Sequence, residues 1–198
     1  MTMLPVTLWH GTSGHLLTLI EQHGLGGMDV MESWRVLPFL KWAFPKLQFD
    51  DRSFGDDDFL DLLSIRAAVN GGAAGMNFVY GDVYAAGGLQ KASTYAQTAP
   101  ELLSFVRTVV KIADRRGLAL VRTELGGYPE IDKFLRLDPK PVVLELSAVP
   151  MSSVTLERGG ALSSSLFEND SVSQISLAQT GFRICANIPF SDIKVLEL

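Results

Sequence analysis

The chain has 198 residues, 47% hydrophobic and 20% charged, which is ordinary for a globular protein and enough for one domain with its own core. A net charge of −5 excludes nonspecific wrapping of nucleic acid, which needs many Lys and Arg to displace counterions. The single cysteine, Cys185, excludes an intrachain disulfide, and no apolar run reaches membrane-spanning length. Cys185 sits in the apolar stretch "FRICANI" and reads as buried and inert. The N-terminus lacks the basic start, apolar stretch and small-residue cleavage site of a signal peptide. The expectation is a cytoplasmic protein, with no membrane partner, or one delivered into a target cell by another route.

In chain order, "PVTLWH" (Pro5–His10) reads as a strand. "SGHLLTLIEQHGL" follows as a helix: Ser13 can cap it, Leu16, Leu17 and Ile20 recur at helical spacing, and Gly24 can end it. "MESWRVLPFLKWAF" and "DDDFLDLLSIRAAVNGG" read as helices separated by Pro45 and an acidic turn; together they suggest a helical insertion over about 29–75. "GGAAG" (Gly71–Gly75) reads as a hinge or loop. "MNFVYGDVYAA" (Met76–Ala86) predicts one or two short strands around Gly81, and "LQKASTYAQ" a short helix. "PELLSFVRTVVKIADRRG" predicts a helix with Pro100 at its start, an apolar stripe through Leu103, Val106, Val110 and Ala113, and Gly117 at its end. "PVVLELSAV" reads as a strand; "SVTLE", "VSQISLA", "FRICANI" and "IKVLEL" read as short β runs. This order predicts an α+β domain spanning 1–198, not the regular βαβ rhythm of a doubly wound sheet.

Several chemistries lack their signatures. There is no G-x-x-x-x-G-K-[ST], and neither "GLGG" nor "GGAAG" makes G-x-G-x-x-G after a strand. His10, His15 and His23 form no H-E-x-x-H, so no metal is expected. "GTSG" is one residue short of a nucleophile elbow, and "DDRSFGDDDFLD" lacks calcium-loop spacing. Lys111, Arg115, Arg116 and Arg122 read as a solvated helix face plus a turn.

Two segments carry a resemblance. Trp9-His10-Gly11-Thr12-Ser13 ends the first strand; later come Tyr84-Ala85-Ala86 and then Ala92-Ser93-Thr94-Tyr95-Ala96. This ordered pair resembles the ADP-ribosyltransferase superfamily, in the histidine–tyrosine–glutamate branch of diphtheria-type toxins and poly(ADP-ribose) polymerases. The closing "NIPFSDIKVLEL" is similar to the last strand of many bacterial members. The resemblance implies a split β-sandwich with flanking helices, and NAD as substrate.

The chemistry accounts for these residue types. One backbone N–H and C=O can satisfy the nicotinamide amide, and Gly11 has no Cβ to obstruct them. The resemblance gives His10 the adenosine ribose hydroxyls, with hydroxyl contacts from Thr12 or Ser13. Tyr84 and Tyr95, beside Ala85, would sandwich the nicotinamide ring. Ser93 would reach the amide. As the nicotinamide–ribose bond breaks, the ribose becomes oxocarbenium-like, and a carboxylate stabilises that charge.

The family places that carboxylate at the start of a late strand. Here Gln174 stands in the expected position, with Glu168 upstream and Gln179 closer to the last strand. Glutamine carries no charge to stabilise the cation. The resemblance therefore implies single rather than repeated transfer, with His10, Tyr84 and Gln174 or Glu168 as the catalytic set and Gly159–Ser171 as the target-recognising loop. It also implies a bacterial or phage toxin or effector, with a protein or nucleic-acid target and an antitoxin or immunity protein as partner. Two alternatives stand: a degenerate binding domain, and an NAD-dependent RNA 2′-phosphotransferase.

Overall fold

The opening apolar run forms β1 (Leu8–Ser13), which continues three residues beyond the strand end expected at His10. The computed structural model describes residues 2–47, 56–70, 82–97, 101–137, 140–168 and 170–198. β1 pairs antiparallel with β3 (Pro141–Leu146) along its whole length, from Leu8↔Leu146 to Ser13↔Pro141, so Gly11, Thr12 and Ser13 are held in the ladder. The sheet is completed by β2 (Val83–Ala86), β4 (Val154–Leu156), β5 (Gly181–Ile184) and β6 (Ile193–Glu197). Its order is β4-β5-β2-β1-β3-β6, and every neighbouring pair is antiparallel. The fold is α+β.

This is one sheet, yet it narrows in the middle. β2 and β5 pair from Val83↔Ile184 to Ala86↔Gly181, whereas β1 and β2 share only Trp9↔Ala86. Two three-stranded halves thus meet at a seam held by one residue pair.

Alternation along the strands assigns the faces. Leu8, Thr12, Val142, Leu144, Ala85, Phe182 and Ile184 are buried on one. Trp9, Gly11, Ala86 and Val143 lie on the other, where α5 (Leu89–Gln97) packs through Ala92 and Ala96. A Cβ on Gly11 would overlap the Ala92 carbonyl oxygen and the Ala96 amide nitrogen. Gly11 is therefore required for helix-on-strand contact, whatever else its peptide group does.

Ser13 caps as expected, although what it caps is a 3₁₀ turn, Gly14–Leu16, accepting from the His15 amide at 3.5 Å; α1 (Leu17–His23) follows. Gly24, at φ 79, ends α1 and donates its N–H to the Ile20 carbonyl at 2.8 Å.

The run "VSQISLA", expected as β, is instead α9 (Ser171–Gln179). Asp170 decides this. Its Oδ1 accepts from the Val172 and Ser173 amides at 2.9 and 3.0 Å, and Ser173 Oγ donates to Oδ2 at 2.6 Å. The cap satisfies two orphan amides of the helix, and the apolar Val172 and Ile175 of the run stay 71% and 67% exposed. Cys185 is likewise exposed, not buried. It follows the end of β5, on the side of Arg183 and opposite buried Ile184.

The chain divides into two compact units. The sheet, α1, α5 and α9 belong to Met1–Asp29, Asn77–Ala99 and Pro139–Leu198. The helical unit takes in Pro100–Asp138 as well as Val30–Met76, so it is larger than the expected insertion at 29–75. It holds α2 (Val30–Ser33), α3 (Val36–Ala43), α4 (Asp56–Val69), α6 (Glu101–Arg115), α7 (Ala119–Leu125) and α8 (Pro129–Arg136). The α6 stripe Leu103, Val106, Val110 and Ala113 is buried as its spacing predicts. Phe39 meets Tyr128 edge-on with centroids 5.2 Å apart. Of the basic residues noted in the sequence, Lys111 and Arg115 face solvent, Arg116 donates to the Leu47 carbonyl, and Arg122 pairs with Asp114 at 2.5 Å. Gly71–Gly75 and the possible strand before Asp82, including Tyr80, lie outside the described residues. No described helix is long and apolar enough to cross a membrane.

Two substitutions test these assignments. Asp170→Ala should speed hydrogen exchange at the Val172 and Ser173 amides and leave those of β3 unchanged. Gly11→Ala should cost about 1–3 kcal/mol in denaturant unfolding, because the added methyl must push α5 off the strand.

Candidate functional site

The seam between β1 and β2 concentrates the unusual polar geometry. Gly14 N–H donates to the Lys140 carbonyl at 2.8 Å, continuing the β1·β3 register. In an antiparallel ladder, bonds to one neighbour alternate residue by residue. The backbone groups of Leu8, His10 and Thr12 therefore face β3, and those of Trp9, Gly11 and Ser13 turn towards β2. Ala86 answers Trp9, while Gly11 lies beyond that last ladder pair. Its N–H and C=O are directed toward β2.

His10 crosses the same seam. Its Nδ1 lies 2.6 Å from the Tyr84 carbonyl oxygen. A carbonyl only accepts, so Nδ1 carries the hydrogen and Nε2 keeps a lone pair. Burial pushes the His10 pKa below its ordinary 6.5, and the Tyr84 carbonyl, which favours the charged ring, opposes this only in part. At neutral pH the ring is an uncharged acceptor at Nε2.

The other expected residues separate into two groups. Tyr84 is half-buried and leaves β2 on the α5 face, opposite to the His10 side chain; Ala85 is buried on the His10 side. Across the ladder from Tyr84 stands Arg183, paired with Asp82 at 2.6 Å. Tyr95 projects from α5 and is 37% exposed, with Lys91 Nζ 5.7 Å from its ring centroid. His10, Gly11, Tyr84 and Tyr95 thus belong to the seam and the helix beside it. Of the residues expected to supply hydroxyl contacts, Thr12 and Ser13 are buried, Ser13 caps a turn, and Ser93 Oγ donates to the Leu89 carbonyl of its own helix at 2.9 Å.

The strand expected to start at Gln174 is corrected. Gln174 opens no strand; it is exposed in the second turn of α9. Glu168 is exposed after the 3₁₀ turn Ser164–Phe167. Gln179 ends α9, with an exposed side chain and a carbonyl that accepts from Lys91 Nζ at 2.9 Å. The strand starts at Gly181, and what stands there is Glu157, a residue the sequence reading passed over. Glu157 N–H donates to the Gly181 carbonyl at 3.0 Å, and a Cβ on Gly181 would overlap the Glu157 carboxylate. Glu157 Oε2 is 4.0 Å from Lys91 Nζ.

Beside this point, the loop after Glu157 and α9 enclose a groove of about 390 Å³ lined by Leu156, Ser163, Leu166, Ser173, Ser176 and Thr180. Asn169 of that loop lies outside the described residues. Among the described residues, no cluster of three or more His, Cys, Asp or Glu could hold a metal ion. Comparison with protein-family models, curated proteins and solved structures finds no match.

The depressed His10 pKa has a defined consequence for stability. Above pH 6.5 the ring is neutral both folded and unfolded; as pH falls through 6.5, the unfolded ring gains a proton that the folded one refuses. Stability is lost from there down to the folded pKa. Unfolding free energies measured from pH 7.5 to 5 should therefore fall more steeply for the native chain than for His10→Gln. Equal slopes would remove His10 as the titrating group.

Proposed function

We propose that the protein transfers a single ADP-ribose from NAD to a macromolecular target and releases nicotinamide. The observation that carries this reading is the His10–Tyr84 bond across the seam. It leaves an uncharged Nε2 acceptor beside the Gly11 peptide edge. A ribose hydroxyl donates to the first, and the primary amide of nicotinamide pairs with the second, donor to acceptor and acceptor to donor. Tyr84 and Tyr95 supply flat faces for the ring. The narrow joining of the two sheet halves suits the split architecture of the ADP-ribosyltransferase superfamily.

The groove between α9 and the loop after Glu157 gives the target a place to dock. The acidic chain favours a protein target over nucleic acid. An effector or toxin of this kind, of bacterial or phage type and acting in a cytoplasm, calls for an antitoxin or immunity protein. A second reading, a binding domain that has lost catalysis, draws on the uncharged glutamines Gln174 and Gln179.

Incubation with labelled NAD and cell lysate tests the reading. Label removed by protease marks a protein target, and label removed by nuclease a nucleic acid. NAD binding with neither label nor free nicotinamide would favour the degenerate domain. Tyr84→Ala should weaken NAD binding by at least roughly 2- to 13-fold, the equivalent of about 0.5–1.5 kcal/mol of ring stacking. His10→Ala should abolish labelling.

A further inference from the structure

We infer that Glu157, at the end of β4, is the carboxylate of the site, delivered from a neighbouring strand into space that Gly181 leaves open. The inference rests on the transferase reading above. Four facts about position carry it.

The β4·β5 register runs Val154↔Ile184, Thr155↔Arg183, Leu156↔Phe182. Its continuation sets Glu157 opposite Gly181, and the Glu157 N–H to Gly181 carbonyl bond at 3.0 Å fixes that pair. Gly181 in turn pairs with Ala86, and Ala86 with Trp9. Glu157, Gly181, Ala86 and Trp9 therefore form a row across four strands, on the face from which Tyr84 projects and on which α5 lies.

Gly181 is the second fact. A side chain there would occupy the position of Glu157 Oε2, so the glycine and the acid are spatially complementary. An acid borne by the first residue of β5 would reach the same point.

Lys91 is the third. Its Nζ is 4.0 Å from Glu157 Oε2, 2.9 Å from the Gln179 carbonyl it donates to, and 5.7 Å from the Tyr95 ring centroid. The carboxylate and Tyr95 thus share one ammonium. The fourth fact is the exposure of the rivals: Glu168, Gln174 and Gln179 all point to solvent.

In the reaction, the C1′–N bond between ribose and nicotinamide breaks, and nicotinamide leaves neutral with the bonding pair. The positive charge left on the ribose is stabilised by the Glu157 carboxylate, which also accepts from the 2′-hydroxyl. The target's hydroxyl, amine or amide then bonds to C1′ and loses its proton to water.

The test measures nicotinamide release and NAD affinity on the full chain, with thermal melting as the check on folding. Glu157→Gln should lose roughly 10²–10³-fold in release while NAD affinity is unchanged. Gly181→Glu placed in the Glu157→Ala background returns a carboxylate to the same point and should recover roughly tenfold or more over Glu157→Ala alone. A purely structural Glu157 would show no such rescue. Should Glu157→Gln fail to fold, Gly181→Ala keeps the acid but displaces it and should show the same loss. Wild-type release by Glu157→Gln, absence of rescue, or a larger loss in Glu168→Ala or Gln174→Ala would overturn Glu157 and leave the transferase reading standing. A native chain that neither binds NAD nor releases nicotinamide overturns both.

Discussion

A peptide group that leaves a ladder without a partner must find water, a side chain or a ligand. The seam between β1 and β2 is where the ladder of this sheet is narrowest. One residue pair, Trp9↔Ala86, joins the halves, and the His10 imidazole crosses to the Tyr84 carbonyl beside it. That bond does two things together: it ties one half of the sheet to the other, and it fixes the tautomer that leaves Nε2 as an acceptor. A charged ring at this position would lose the acceptor, and burial keeps the ring neutral. The stability of the seam and the acceptor character of Nε2 therefore depend on the same proton.

Small residues bring the rest of the site to that seam. Gly11, Ala92 and Ala96 let α5 lie directly on β1, which positions Lys91 and Tyr95 along the face that carries Tyr84. Gly181 plays the corresponding part at the far end of the row, where the Glu157 carboxylate takes the space of a missing side chain. In both places a glycine exchanges a contact of its own for one made by a neighbour. The sheet, being antiparallel throughout, carries these contacts laterally from strand to strand, so residues far apart in the chain share a face.

Local signals were legible wherever the deciding contacts are local. The α5 and α6 helices follow from spacing and termini: the Leu103–Ala113 stripe is buried, and Gly117 sits at positive φ just past the end of α6. Gly24 likewise ends α1. In α9 the local signals conflicted. The short run "VSQISLA" between turns reads as β, and only the Asp170 cap, made within the next three residues, says otherwise. Cys185 was misplaced for a related reason: its apolar neighbours belong to β5, but the strand ends at Ile184 and the cysteine faces outward.

The candidate site was legible in part. His10, Gly11, Tyr84 and Tyr95 stand out in sequence because each bears its chemistry on a short motif. Glu157 does not, because it comes to stand opposite Gly181 only across a connection that holds a loop and a whole helix. By itself the sequence determined the α+β class and the helices α4, α5 and α6, since these depend on capping and periodicity within a few residues; α7 and α8 carried no signal that was read, and α9 was read as β. The tertiary structure alone decided the single-pair seam, the packing of α5 on Gly11 and the placing of Glu157 opposite Gly181. Those follow from strand order and register, which join residues that the chain itself keeps apart.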